Sequence, residues 1–230
     1  MSVIVLLSGG LDSAVNLKLA ADQRGVALAL TFDYGQRAAA REEAAAALMC
    51  RQLRLPHRVV DLPWLTEICN TALVDRAAPM PQLRVEDLGT PAVTRGDTAQ
   101  AVWVPNRNGV FVNIAAAFAE RLASDGVVAG FNKEEAATFP DNSADFVAAA
   151  NAALALSTLQ KPVLLSYTQE QTKPEIVKLG RQSGAPIASI WSCYHGGVEH
   201  CWHCESCARL ERALRQAGAW EWFHTNRKTP

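Results

Sequence analysis

The sequence predicts an α/β fold built on a doubly wound, mostly parallel sheet, with a small helical lobe at the C-terminus. Three observations predict it. Short β-rich runs alternate with longer runs of helical spacing over residues 2–62, a pattern that argues for parallel strands with crossover helices. A glycine-rich turn, "SGGLDS" (8–13), joins the first such strand to the first such helix. The composition changes near residue 190, after which Cys, His, Trp and Gly crowd together, so the expected division is an α/β domain over 1–189 and a lobe over 190–230.

Taken in order, "SVIVLL" (2–7) reads as a buried first strand. "DSAVNLKLAADQRG" (12–25) places apolar residues at helical spacing and stops on Gly25, a residue suited to the position past a helix end. "VALALTF" (26–32) is the second strand, the Ala-rich segment 37–55 a helix closed by Pro56, and "HRVVDL" (57–62) the third strand. Over 74–101 the periodicity fails, and a loop of that length in a compact domain points to a functional or mobile segment. Regular structure resumes with a helix over 107–126, a strand at 127–131, helices at 143–158 and 173–183 and a strand at 161–167.

With 230 residues, 49% apolar and 20% charged, the chain has material for one sizeable core. Lys plus Arg (22) balance Asp plus Glu (23), which disfavours a nucleic-acid partner held by bulk charge and favours a small-molecule substrate. No apolar run reaches the ~18 residues of a membrane span, and the N-terminus carries no basic segment followed by an apolar one. The expectation is a cytoplasmic protein with no membrane partner.

A strand that enters a helix through glycines exposes backbone N–H groups backed by the helix dipole, and so can hold an anion without a basic side chain. In "SGGLDS", Gly9 and Gly10 permit close approach to phosphates, Ser8 and Ser13 offer hydroxyls, and Asp12 is placed either to cap the helix or to hold Mg2+. The stretch is neither the kinase P-loop nor the dinucleotide fingerprint. Its place at a strand's C-terminal end, before a helix, is where α/β folds bind ligands.

Four cysteines, Cys193, Cys201, Cys204 and Cys207, fall within fifteen residues, while Cys50 and Cys69 stand alone in settings that read as buried. Four thiolates at these spacings suit a closed, structural Zn2+ site, with an iron–sulfur cluster as the rival. His200 and His203 are then unnecessary as ligands and are expected at the surface. The nearby tryptophans Trp191, Trp202, Trp220 and Trp222 read as the lobe's small core.

The loop "SGGLDS" resembles the pyrophosphate loop of the N-type ATP pyrophosphatases, and together with the cysteine pattern the chain resembles the 7-cyano-7-deazaguanine synthase (QueC, or ExsB) family. The likeness also runs through "FDYGQR" (32–37), "VPNRN" (104–108), "GFN" (130–132), "FPDNSADFV" (139–147), "TKPEIV" (172–177) and "SCY" (192–194). It implies an adenine nucleotide alpha hydrolase-like fold and an ATP- and Mg2+-dependent, carbon–nitrogen bond-forming ligase. In that reaction 7-carboxy-7-deazaguanine is adenylated, amidated with ammonia, and dehydrated to the nitrile with a second ATP. A homodimer is expected from the resemblance only. Under this reading Leu7, Ser8, Gly9, Gly10, Leu11, Asp12, Ser13, Asp33 and Tyr34 hold the nucleotide. Asp12, Ser13, Arg107 and Lys173 carry catalysis; Gln36, Asn108, Asp141 and Asn142 contact the substrate; and the four clustered cysteines bind zinc.

The chain departs from the family pattern in three places. "TFPDNS" (138–143) replaces "GYPDCR" and so lacks an arginine, while Asn106 and Trp202 stand where glycines are usual. Two other readings remain: a tRNA-modifying or other carboxylate-amidating ATP pyrophosphatase, and a non-catalytic adaptor acting through the zinc lobe.

Overall fold

The computed structural model describes residues 1–88 and 97–228. Five parallel strands form one sheet: β1 (Val3–Leu6), β2 (Val26–Asp33), β3 (His57–Asp61), β4 (Gly126–Val128) and β5 (Val163–Leu165), in the order β3-β2-β1-β4-β5. Val3 of β1 lies opposite Val26 of β2 on one side and Gly126 of β4 on the other. The chain winds outward from β1 to β3, returns, and winds the other way through β4 and β5. Its direction therefore reverses between β1 and β4, the crevice where open α/β sheets take their ligands.

The helices follow from that winding. Helix α1 (Leu11–Gln23) packs on β1 and β2, and α2 (Ala39–Leu53) on β2 and β3. Helix α3 (Arg107–Arg121) packs on β1 and β4, and α4 (Ala144–Ser157) on β5 and α3. The reversal of winding puts α3 and α4 on the opposite face from α1 and α2. Helix α5 (Lys173–Ser183) lies against α1, and α6 (Glu205–Gln216) against α5, with α7 (Trp220–Asn226) beyond it.

Most expected elements stand within a few residues of their predicted bounds, and the differences are physical. The helix expected over 107–126 ends at Arg121, and Gly126 opens β4 instead. A Cβ at that glycine would sit 2.7 Å from the Val163 carbonyl oxygen of β5, so strand pairing and not helix termination requires it. Short helices at Trp64–Glu67, Asp97–Ala101 and Lys133–Ala136 were not foreseen, because a single turn shows no periodicity. Of the irregular segment 74–101, residues 89–96 lie outside the described residues.

One buried cluster runs from Val3 in β1 to Phe223 in α7 and includes Cys193, Cys204 and Cys207. The tail thus packs on the α/β layers across residue 190. It is tied there by main chain as well: Trp191 N donates to Gly9 O at 2.8 Å, and Leu83 N to His203 O at 2.9 Å. Among the described residues, no helix is long and apolar enough to cross a membrane.

Candidate active site

The crevice begins at the turn between β1 and α1. Gly9 has φ +79°, and a Cβ there would lie 2.7 Å from Glu42 O, so two independent constraints demand glycine. Gly10 is the N-cap of α1 and makes no side-chain capping bond. The first-turn N–H groups, which no helix can satisfy internally, are left for a ligand. Across from them, a Cβ on Gly130, just past β4, would fall 2.8 Å from Ser13 N. Only a glycine lets the end of β4 close on the first turn of α1. The hydroxyls of Ser8 and Ser13 lie 3.1 Å apart, and Ser13 Oγ donates to Gly10 O at 3.1 Å.

Asp12 does not cap the helix. Its Oδ2 accepts from Lys173 Nζ at 2.6 Å, and the same ammonium donates to Glu135 Oε1 at 2.5 Å. Lys173, expected from sequence to be either a cation for phosphate or a solvated helix residue, is 9% exposed. Burial opposes its charge, but Asp12 and Glu135 outweigh burial and hold the Lys173 pKa above the ordinary lysine value. Burial raises Asp12 against the pull of Lys173, whereas at Glu135 the ammonium overcomes burial and the pKa falls. Lys173 is therefore a fixed cation beside the first turn of α1, whose N–H groups are free to face an anion.

Asn16, one turn further along α1, locks this arrangement. It is fully buried and its amide is saturated: Nδ2 donates to Asp12 O (2.9 Å) and Thr168 Oγ1 (2.7 Å), while Oδ1 accepts from Tyr167 N (2.8 Å).

On the β2 side, Arg107 Nη1 donates to the Tyr34 hydroxyl at 3.2 Å, and its guanidinium sits 5.9 Å from that ring's centroid. Phe32 stacks on Phe111 with centroids 4.2 Å apart, giving the crevice a flat apolar wall. Burial pushes Glu42 up to about 7, with its Oε2 accepting from Gln36. Gln36 lines the crevice, but its amide also accepts from Tyr34 N and donates to Phe32 O, so the turn after β2 engages most of it. Asn108, Asp141 and Asn142 line the opposite rim and bond one another: Asn142 Nδ2 to Asp141 Oδ1 (3.0 Å) and Asn108 Nδ2 to Asp141 O (3.3 Å).

The crevice thus gathers Leu7, Ser8, Gly10, Leu11, Asp12, Ser13, Tyr34, Gln36, Arg107, Asn108, Asp141, Asn142 and Lys173. Two residues expected at the nucleotide do not line it. Gly9 faces α2, and Asp33 turns back to accept from Gly35 N at 2.8 Å. Residues that sequence reasoning missed line it as well: Glu42, Glu135, Tyr194, Glu205 and Arg209. For Glu135 a signal existed, since Asn132 in "GFN" caps the short helix that carries it, accepting from Glu135 N at 2.9 Å.

In the tail, the four sulfurs of Cys193, Cys201, Cys204 and Cys207 lie within 4.8 Å of one another, and Cys201 and Cys207 are 3.9 Å apart. A tetrahedral site with Zn–S bonds of about 2.3 Å has edges near ~3.8 Å, so the donor set fits zinc. Cys201 Sγ also accepts from Cys204 N at 3.2 Å, the kind of outer hydrogen bond that steadies a thiolate ligand. Trp202 has φ +59° and Asn106 φ +50°, so both departures from glycine fall where the backbone is left-handed. Contrary to the surface position expected for it, His200 is 4% exposed, stacked near Trp191 and Trp202, and accepts from Ser192 N at 3.1 Å. His203 is exposed as expected. Cys50 and Cys69 are buried, neither lines the crevice, and burial pushes the Cys50 thiol up to about 12.

The family described as queuosine biosynthesis protein QueC matches residues 2–218. The 7-cyano-7-deazaguanine synthase of Pelotomaculum thermopropionicum is 56% identical over 218 residues, covering 95% of this chain and 98% of that protein. The enzymes of the same name from Desulforamulus reducens and Methanosarcina mazei are 53% and 46% identical, each alignment covering 95% of both proteins. Among solved structures, the NH3-dependent NAD synthetase of Campylobacter jejuni matches with a TM-score of 0.46 at 17% identity, over 82% of this chain and 66% of that one.

Proposed function

Because the chain belongs to the QueC family of queuosine biosynthesis proteins, we propose that its crevice converts 7-carboxy-7-deazaguanine and ammonia to 7-cyano-7-deazaguanine at the expense of ATP. The observation that carries the reading is the uncapped first turn of α1 facing Lys173 across the crevice between β1 and β4.

The chemistry runs in three steps. A substrate carboxylate oxygen attacks the α-phosphorus, and pyrophosphate departs with its bridging oxygen. Ammonia then adds to the acyl carbon, AMP leaves, and loss of a proton gives the amide. A second ATP adenylates the amide oxygen, and departure of AMP with the remaining amide protons completes the nitrile. In the first and third steps negative charge grows on the leaving pyrophosphate. The Leu11–Ser13 amides and the Lys173 ammonium meet that charge in place, and the Ser8 and Ser13 hydroxyls reach it by rotating from their present bonds. Arg107, held by Tyr34, is placed for the nucleotide's phosphates or the substrate carboxylate.

Asp12 Oδ1 is buried and has no hydrogen-bond partner among the described residues, an oxygen donor of the type Mg2+ takes. When bound, that ion would neutralise phosphate charge, and Asp12 would hold it. Zinc at the four cysteines has a structural role. Consumption of ATP fits a cytoplasmic enzyme, and a homodimer is part of the same proposal.

The purified protein with ATP, Mg2+, ammonium and 7-carboxy-7-deazaguanine is expected to release AMP and pyrophosphate and to yield a product one water lighter than the amide by mass. Release of ADP would contradict the reading. Turnover only when tRNA is supplied would favour an RNA-modifying ligase instead.

A further inference from the structure

Resting on the reaction just assigned, we propose that Glu205 reads the substrate's ring edge, the side that carries the ring N–H and the exocyclic amino group. Glu205 lines the crevice and is 2% exposed. Its Oε1 accepts twice from Arg209, from Nη2 at 2.6 Å and Nε at 3.0 Å. Its Oε2 is buried and has no hydrogen-bond partner among the described residues. An ion pair made only to hold a helix together would sit at the surface or satisfy both oxygens, because a buried, unpaired carboxylate oxygen is costly. A ligand bringing an N–H donor to Oε2 removes that cost.

The edge of a deazaguanine supplies such donors. The corresponding edge of a deazaadenine sets a ring-nitrogen lone pair against the carboxylate, so the same residue attracts one ring and repels the other. The residues expected from sequence to read the ring are less free to do so, since Asn142 and Asn108 already donate to Asp141.

Glu205 also explains why the tail belongs to the site. It is the first residue of α6, directly after Cys204 and two before Cys207. Closing the four-sulfur site fixes the turn from which Glu205 enters the crevice.

The test compares, on the full-length, zinc-loaded protein, AMP release with 7-carboxy-7-deazaguanine and with 7-carboxy-7-deazahypoxanthine, which lacks only the exocyclic amine. The wild type is expected to lose about 10- to 100-fold in kcat/KM with the second, mainly through KM. Glu205→Gln is expected to lose a similar factor with the first substrate and to treat the two nearly alike, with zinc content unchanged and the protein folded, though with a lowered melting temperature because Arg209 loses its buried counter-charge. Glu205→Asp, which keeps the carboxylate, is expected to retain a preference. Equal use of both substrates by the wild type overturns the proposal. So does a Glu205→Gln protein that discriminates fully, or loss of discrimination in Asp141→Asn but not in Glu205→Gln. AMP release by the wild type from neither compound, nor from any other deazapurine carboxylate, overturns the reaction itself and this proposal with it. Discrimination that survives the Glu205 substitutions leaves the reaction standing.

Discussion

The two walls of the crevice are built by different means. The turn at β1 and α1 is shaped by the absence of side chains: Gly9 admits the Glu42 carbonyl and Gly130 admits the Ser13 amide, so backbone meets backbone. The wall from the tail is shaped by donors that a metal can gather and by an aromatic packing in which Trp202 meets Trp220 at 4.9 Å between ring centroids. The first wall tolerates almost no added atom. The second tolerates even a tryptophan at a left-handed position, provided its four sulfurs remain. In the proposed reaction, backbone proximity would fix the phosphate end and metal ligation the substrate end.

The largest expected effect breaks the second wall. Cys204→Ser, or extraction of the metal by a strong chelator, removes a ligand set whose binding is worth ~10 kcal/mol in small zinc sites. The outcome expected is loss of bound zinc, a lower melting temperature and loss of turnover together, read by metal analysis beside thermal unfolding. A tail that stays folded without metal would show that the aromatic packing suffices.

Next comes Lys173→Ala, which strands Asp12 and Glu135 beside each other without their shared cation. We expect a stability loss of about 3–5 kcal/mol in urea unfolding and a fall in kcat of roughly 100-fold or more. Gly130→Ala tests the first wall alone. Its new Cβ, 2.8 Å from Ser13 N, must push the turn from β4. Activity is expected to drop at least ~10-fold, with a stability cost of about 1–3 kcal/mol.

The smallest effect concerns Glu42. Its folded pKa, raised by burial to about 7, lies above the ordinary 4.5, so the fold favours the protonated form. That contribution is fully present below pH 4.5 and is lost as the pH climbs through 7. Glu42→Gln should therefore match the wild type near pH ~5 and exceed it by roughly 1–2 kcal/mol near pH ~8, measured as urea midpoints at the two pH values. A gain that is largest in acid would reverse the sign and remove Glu42 from the ionisable set.

Much of the site was legible in the chain because its signals are local. "SGGLDS" contains a strand end, two glycines and a helix start within a few residues, and four cysteines within fifteen residues mark a candidate zinc site by spacing alone. Lys173, Arg107 and Asp141 were legible through the family resemblance. Glu42, Glu205 and Arg209 were not, because nothing in a helical run distinguishes a charged side chain facing a crevice from one facing solvent; for Glu135 the one signal was the Asn132 cap of its short helix. His200 misled for the same reason: a histidine beside a ligand cysteine reads as surface until the aromatic rings that bury it are in place.

By itself the sequence determined the order of the main strands and helices, the glycine-rich turn between β1 and α1 and the four-cysteine cluster, since each depends on periodicity or spacing over a few residues. Only the tertiary structure decided which charges meet. Lys173 reaches Asp12 across 161 residues of chain, and Arg212 of α6 reaches Glu134 beside β4. Those meetings are set by where the sheet reverses its winding and by which helices then share a face. Spacing along a chain carries no record of that, because contacts between distant segments depend on how the whole core closes.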